Sequence, residues 1–139
     1  MEPFRDPSEL EHYRRKLGYT NALVNRAGKI WIFWDDEYEG QTVSDTDQQL
    51  TVRLTRYNTS VLVSAVYAKC SNEDRIDLWK DLEHIAEGSH TPWVMGGDFN
   101  VILREEENMR GLAFTQAEAA DFAQCINNCA LSEIKFTGS

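Results

Sequence analysis

Apolar residues recur first at helical spacing, then in short runs, then at helical spacing again. Leu10, Tyr13 and Leu17 form a stripe behind Asp6 as N-cap, Pro7 at the first helical position and Glu9 at the capping-box position. Gly18 follows, and together these signals predict a helix over residues 7–17. Ala22-Leu23-Val24 and residues 29–34 read as two strands joined through Arg26-Ala27-Gly28 as a hairpin. In Ile30-Trp31-Ile32-Phe33-Trp34 nearly every position is apolar, which predicts a strand covered on both faces. Strands follow at 41–44, at 50–57 with Leu50, Val52 and Leu54 alternating with polar residues, and at 60–68, rich in β-branched residues. Asn58-Thr59 is the turn before the last of these.

Residues 72–87 carry Leu78, Trp79, Leu82, Ile85 and Ala86 on one helical face. Pro92-Trp93-Val94-Met95 reads as a short buried strand, and 105–111 as a loop. Thr115 and Glu118 make a second capping box ahead of a stripe of Ala119, Phe122, Ala123, Ile126 and Ala130. Helix, hairpin strands, helix, strand, helix is the order of an α/β layered domain with a mixed sheet, and 139 residues is one domain.

The net charge of −9 argues against a protein that grips nucleic acid through a broad basic face. Arg14-Arg15-Lys16 is the one basic cluster, against acidic runs at 35–39 and 105–107, and all three read as solvated surface. No stretch reaches the ~20 apolar residues of a membrane span, and the N-terminus lacks the apolar core of a signal peptide. Three cysteines, Cys70, Cys125 and Cys129, have no zinc spacing and read as buried reduced thiols, which suits a nuclear or cytoplasmic setting. His12, His84 and His90 fall on exposed helix or loop positions and receive no catalytic role.

The candidate chemistry lies in Gly96-Gly97-Asp98-Phe99-Asn100-Val101. Glycines after an apolar strand let the backbone turn sharply or approach a ligand. On an extended chain residues i and i+2 point the same way, so Asp98 and Asn100 are expected to face one pocket. A carboxylate beside a neutral hydrogen-bonding group suits phosphate-ester chemistry. Taken singly, Asp98 and Asn100 are also turn formers, and Tyr67 is also a core aromatic with a wet hydroxyl.

Five stretches in this order resemble the endonuclease/exonuclease/phosphatase (DNase I-like) superfamily, and more narrowly the endonuclease domain of plant LINE-type (non-LTR) retrotransposons. They are Glu2-Pro3-Phe4, residues 29–34, Ser44-Asp45-Thr46-Asp47-Gln48-Gln49-Leu50, Val66-Tyr67-Ala68 and residues 93–100, with Arg75 and Leu78-Trp79 on the helix between the last two. The resemblance implies a four-layer α/β sandwich with mixed sheets flanked by helices, spanning residues 1–139. It also implies hydrolysis of phosphate esters with Mg²⁺, or Mn²⁺ in its place, and DNA as substrate. It places Glu2 as the metal-binding carboxylate and Tyr67 against the scissile phosphate. Asp98 would orient or deprotonate the attacking water or protonate the leaving group, and Asn100 would hold a phosphate oxygen.

The sequence departs from the family pattern at both ends. The family's first strand bears an Asn, and its last carries Ser-Asp-His; neither is found here. The expectation is therefore a partial sandwich, the fragment of a nicking endonuclease, with the 139 residues alone inactive. The alternatives are a transposon relic without activity and a phosphatase-type member acting on phosphoinositides or another phosphate ester.

Overall fold

The computed structural model describes residues 7–100 and 116–132. These fall into two compact units, one of residues 7–69 and 91–99, the other of residues 70–90, 100 and 116–132.

The first unit opens with helix α1 (Pro7–Leu17). Gly18 follows at φ +83°, its amide on the Arg15 carbonyl, so the helix closes where the glycine allows a left-handed residue. Strands β1 (Asn21–Val24) and β2 (Trp31–Trp34) form an antiparallel hairpin. Its burial alternates: Ile32 and Trp34 are buried, while Trp31 and Phe33 are half-buried on the other face. The expectation of a strand covered on both faces is thus corrected to partial cover, supplied by two rings. Tyr13 from α1 stands 5.6 Å from Trp31, and Tyr19 stacks on Phe33 at 5.9 Å.

Strands β3 (Glu39–Asp45), β4 (Gln49–Arg56), β5 (Thr59–Tyr67) and β6 (Trp93–Asp98) make a second sheet in that order. Its first two pairings are antiparallel and β5·β6 is parallel, so the sheet is mixed. Antiparallel neighbours need only tight turns, whereas a parallel pair needs a long crossover. The chain supplies one between Tyr67 and Trp93, carrying a helix. The β4–β5 turn is made by Tyr57 and Asn58, both at positive φ, so Tyr57 leaves the predicted strand and Thr59 joins the next one.

The two sheets pack face to face. Ile30, Ile32 and Trp34 meet Leu50 and Val52, with Leu23, Tyr38, Leu54, Ala65 and Tyr67 around them. The other face of β4 is buried too, contrary to its half-buried pattern. Gln49 and Thr51 are fully enclosed because polar neighbours satisfy them. Trp93 Nε1 donates to Ser64 Oγ (2.8 Å), which pairs with Thr51 Oγ1 (2.5 Å). Thr51 donates to Gln49 Oε1 (2.6 Å), and Gln49 Nε2 to Ser44 Oγ (2.7 Å). Thr51 has a single O–H, committed to Gln49, so Ser64 must be the donor to Thr51. The chain of bonds crosses all four strands and pins their register.

Strand β6 corrects two expectations. It runs through both glycines to Asp98 instead of ending before them, and it is not buried: Val94 is 48% exposed. Gly97 is at φ +135°, and a Cβ there would run into the Val66 backbone, so only glycine lets β6 lie against β5 at this point.

The second unit holds α2 (Asn72–Glu87) and α3 (Gln116–Asn128). Ser71 caps α2 by accepting the Asp74 amide at 3.0 Å. Leu78, Trp79, Leu82 and Ile85 are buried as predicted, and so is Arg75, which donates to the Cys70 carbonyl at 2.6 Å. Trp79 packs on Phe122 with ring centroids 5.2 Å apart. Phe122 and Cys125 of α3 and Cys129 just past its end are buried, while Ala123 and Ala130 are exposed. Cys70 is exposed, a correction to the expectation of three buried thiols. The predicted cap Asp6, the capping-box residue Thr115 and the loop at 105–111 lie outside the described residues. No helix among the described residues is long and apolar enough to cross a membrane.

Candidate active-site cleft

At the end of the first unit where β5 and β6 finish, a cleft of about 270 Å³ is lined by Lys29, Ile30, Trp31, Val66, Tyr67 and Asp98. Tyr67 and Asp98 arrive there together because they are partners in the parallel register of β5 and β6. Partners in a parallel pair point to the same side of the sheet. The Ala68 amide donates to the Asp98 carbonyl (2.8 Å), holding the last rung of the pair.

Lys29 reaches the cleft from the turn before β2. Its ammonium stands over the Tyr67 ring, 5.8 Å from the centroid, within the range of a cation–π contact. That turn is fixed by Asn25, which is 2% exposed. Its Oδ1 accepts the Lys29 and Ile30 amides (2.9 and 3.0 Å). Its Nδ2 donates to the Thr46 and Asp47 carbonyls (2.9 and 3.3 Å). Both ends of one buried amide therefore join the β1–β2 turn to the β3–β4 turn.

The β3–β4 turn in turn holds the end of β5. The Gln48 carbonyl accepts the Tyr67 amide (2.8 Å), and Gln48 Oε1 accepts the Lys69 amide (2.9 Å). Thr46 Oγ1 tightens the turn by accepting the Gln48 and Gln49 amides. Asp45 Oδ1 accepts the Arg26 amide at 2.8 Å. The stretch from Ser44 to Gln49, conspicuous in the sequence without an evident role, is thus the bracket that sets Lys29 and Tyr67 at one end of the sandwich.

Of the residues singled out from sequence, Tyr67 and Asp98 share the cleft. Asn100 lies beyond the end of β6, at φ +53° and in the second unit. The extended geometry that would align it with Asp98 does not hold there. Glu2 lies outside the described residues. The three histidines are exposed, as predicted. Lys29 and Asn25 were missed. A lysine opening an apolar strand and an asparagine opening a hairpin link were the available signals, but only the strand order places them beside Tyr67.

Asp98 is the one carboxylate lining this cleft among the described residues. No group of three or more potential ligands gathers among them. Mg²⁺ is commonly held by one or two carboxylates together with water and substrate phosphate. Asp98 fits as one such carboxylate.

Neither protein-family models nor curated proteins give a match to the chain. Among solved structures it is similar to the endonuclease domain of TRAS1, a telomere-specific non-LTR retrotransposon, with a TM-score of 0.61 and 9% identity. The likeness covers 88% of this chain and 64% of that one. At such low identity it shows the fold alone: the paired sheets and helices are those of a partial DNase I-like α/β fold.

Proposed function

We propose that the cleft between β2, β5 and β6 receives a phosphodiester of DNA, and that the chain derives from a nuclease acting on that phosphate. The juxtaposition of Tyr67 and Asp98 by strand register, in a fold similar to a retrotransposon endonuclease domain, carries this reading. In it the Tyr67 hydroxyl donates a hydrogen bond to a non-bridging phosphate oxygen. The Asp98 carboxylate orients the attacking water and takes its proton, or returns a proton to the leaving oxygen. By the resemblance, Glu2 is the carboxylate that would hold Mg²⁺ or Mn²⁺, which when bound offsets the charge on the phosphate. Binding and cleavage are measured separately, because affinity for the diester does not require turnover.

The test is Mg²⁺-supported nicking of supercoiled plasmid, with Asp98→Asn and Tyr67→Phe beside the parent and phosphoinositide headgroups as the rival substrate. Residual nicking that vanishes in Asp98→Asn fits the assignment. Equal nicking by parent and Asp98→Asn contradicts the role of Asp98. Release of phosphate from the headgroups with intact plasmid would move the chain to the phosphatase side of the superfamily.

A further inference from the structure

Lys29 has no role in the chemistry set out above, yet it is the one cation lining the cleft among the described residues. The chain carries a net charge of −9, so a phosphodiester approaches a repelling surface. Inside the cleft it also meets the Asp98 carboxylate. Lys29 brings the charge of that lining from negative to neutral, which removes the local repulsion of an anion.

Its placement is built in. The Lys29 amide is bonded to the buried Asn25, and the side chain is half-buried with its ammonium over the Tyr67 ring. Lysine usually spreads over the exposed surface. A fixed backbone and an aromatic floor restrict this one and lower the ordering entropy lost on binding.

We infer that Lys29 is the phosphate-contacting cation of this cleft, pairing with the non-bridging oxygens of the diester that Tyr67 touches. The inference rests on the phosphodiester reading of the cleft. It does not require the chain to cleave DNA.

The experiment is binding of a short duplex oligonucleotide with nuclease-resistant phosphorothioate linkages to the full chain, from 50 to 200 mM salt. Lys29→Met keeps the apolar stem and removes the charge; Lys29→Arg keeps the charge. Neutralising one phosphate contributes about 0.9 to the slope of log K against log salt. Lys29→Met is expected to lower the slope by about that amount and to weaken binding on the order of tenfold at 50 mM salt. Lys29→Arg should retain the parent slope. Equal slopes for parent and Lys29→Met, with both melting at the parent temperature, would overturn the inference, as would a parent that binds no oligonucleotide at all. Lys29-dependent binding beside nicking that Asp98→Asn leaves unchanged would support it while removing the hydrolytic role of Asp98, so the two fail separately.

Discussion

Tyr67 and Asp98 stand side by side as the last register pair of β5 and β6, and the strand carrying Asp98 reaches that position only because Gly97 lies against the Val66 backbone. The sheet, not a loop, therefore sets the spacing of the two groups. A site on paired strands is held more closely than one on a loop. The consequences can be tested residue by residue.

Gly97→Ala should disturb β6 at its junction with β5. The position combines φ +135° with a collision between the new Cβ and Val66, and a strained backbone position alone costs about 1–3 kcal/mol. Gly96, whose added Cβ would meet nothing within 4 Å, should accept alanine with a change within about 0.5 kcal/mol. Urea denaturation of both variants checks the contrast; equal effects would show that the close approach at Gly97 does not matter.

Asn25→Ala should loosen the bracket that sets Lys29 and Tyr67 in place. The substitution strands two amides and two carbonyls that one buried side chain now serves. An unsatisfied buried polar group costs roughly 1–3 kcal/mol. The expected loss in equilibrium unfolding is at least that large, accompanied by faster amide exchange at Lys29 and Ile30. A variant as stable as the parent would mean that the turn holds itself.

Much of this fold was legible in the sequence. Helix α2 was readable to the residue because periodicity and a local cap act together, and the β1–β2 and β4–β5 hairpins because strands and turns alternate. What escaped depends on partners distant in sequence. Gln49 and Thr51 look like the solvent face of a strand, but hydrogen bonds to Ser44 and Ser64 let them be buried. Strand β6 has a buried-looking composition and yet is exposed. In the cleft, Tyr67 and Asp98 were legible from motifs. Lys29 was not, because nothing local places residue 29 beside residue 67.

Asp81→Asn on α2 gives a pH-dependent prediction. Burial, and then the charge of Asp77 one turn earlier, raise the Asp81 carboxyl above its ordinary 3.8, partly countered by His84. A carboxyl whose folded pKa is raised disfavours folding once ionised. The parent thus loses stability as pH rises from the unfolded pKa through the folded one. Asp81→Asn should be the more stable by about 0.2–0.5 kcal/mol at pH 7, and the gain should fade as pH falls below 3.8. Melting curves at pH 7 and pH 3 decide it; a gain that persists at pH 3 would rule out the charge explanation.

The thiols should divide one to two. Cys70 is exposed, whereas Cys125 and Cys129 are buried. The neighbouring Cys129 sulfur and burial push the Cys125 thiol far up, so the reactive thiolate is not formed near neutral pH. A chromogenic disulfide reagent at pH 8 should titrate one thiol quickly and the other two only on unfolding. Three fast thiols would place the α2–α3 pair in an open state.

The central claim is that a phosphodiester occupies the cleft beside Tyr67 and Asp98. Its most direct test is amide chemical-shift mapping of the chain titrated with a short DNA duplex in the presence of Mg²⁺. The account predicts the largest shifts at Lys29, Ile30, Tyr67, Ala68 and Asp98. Shifts confined to the opposite end of the sheet, around Tyr57 and Asn58, or no saturable shifts at all, would contradict it.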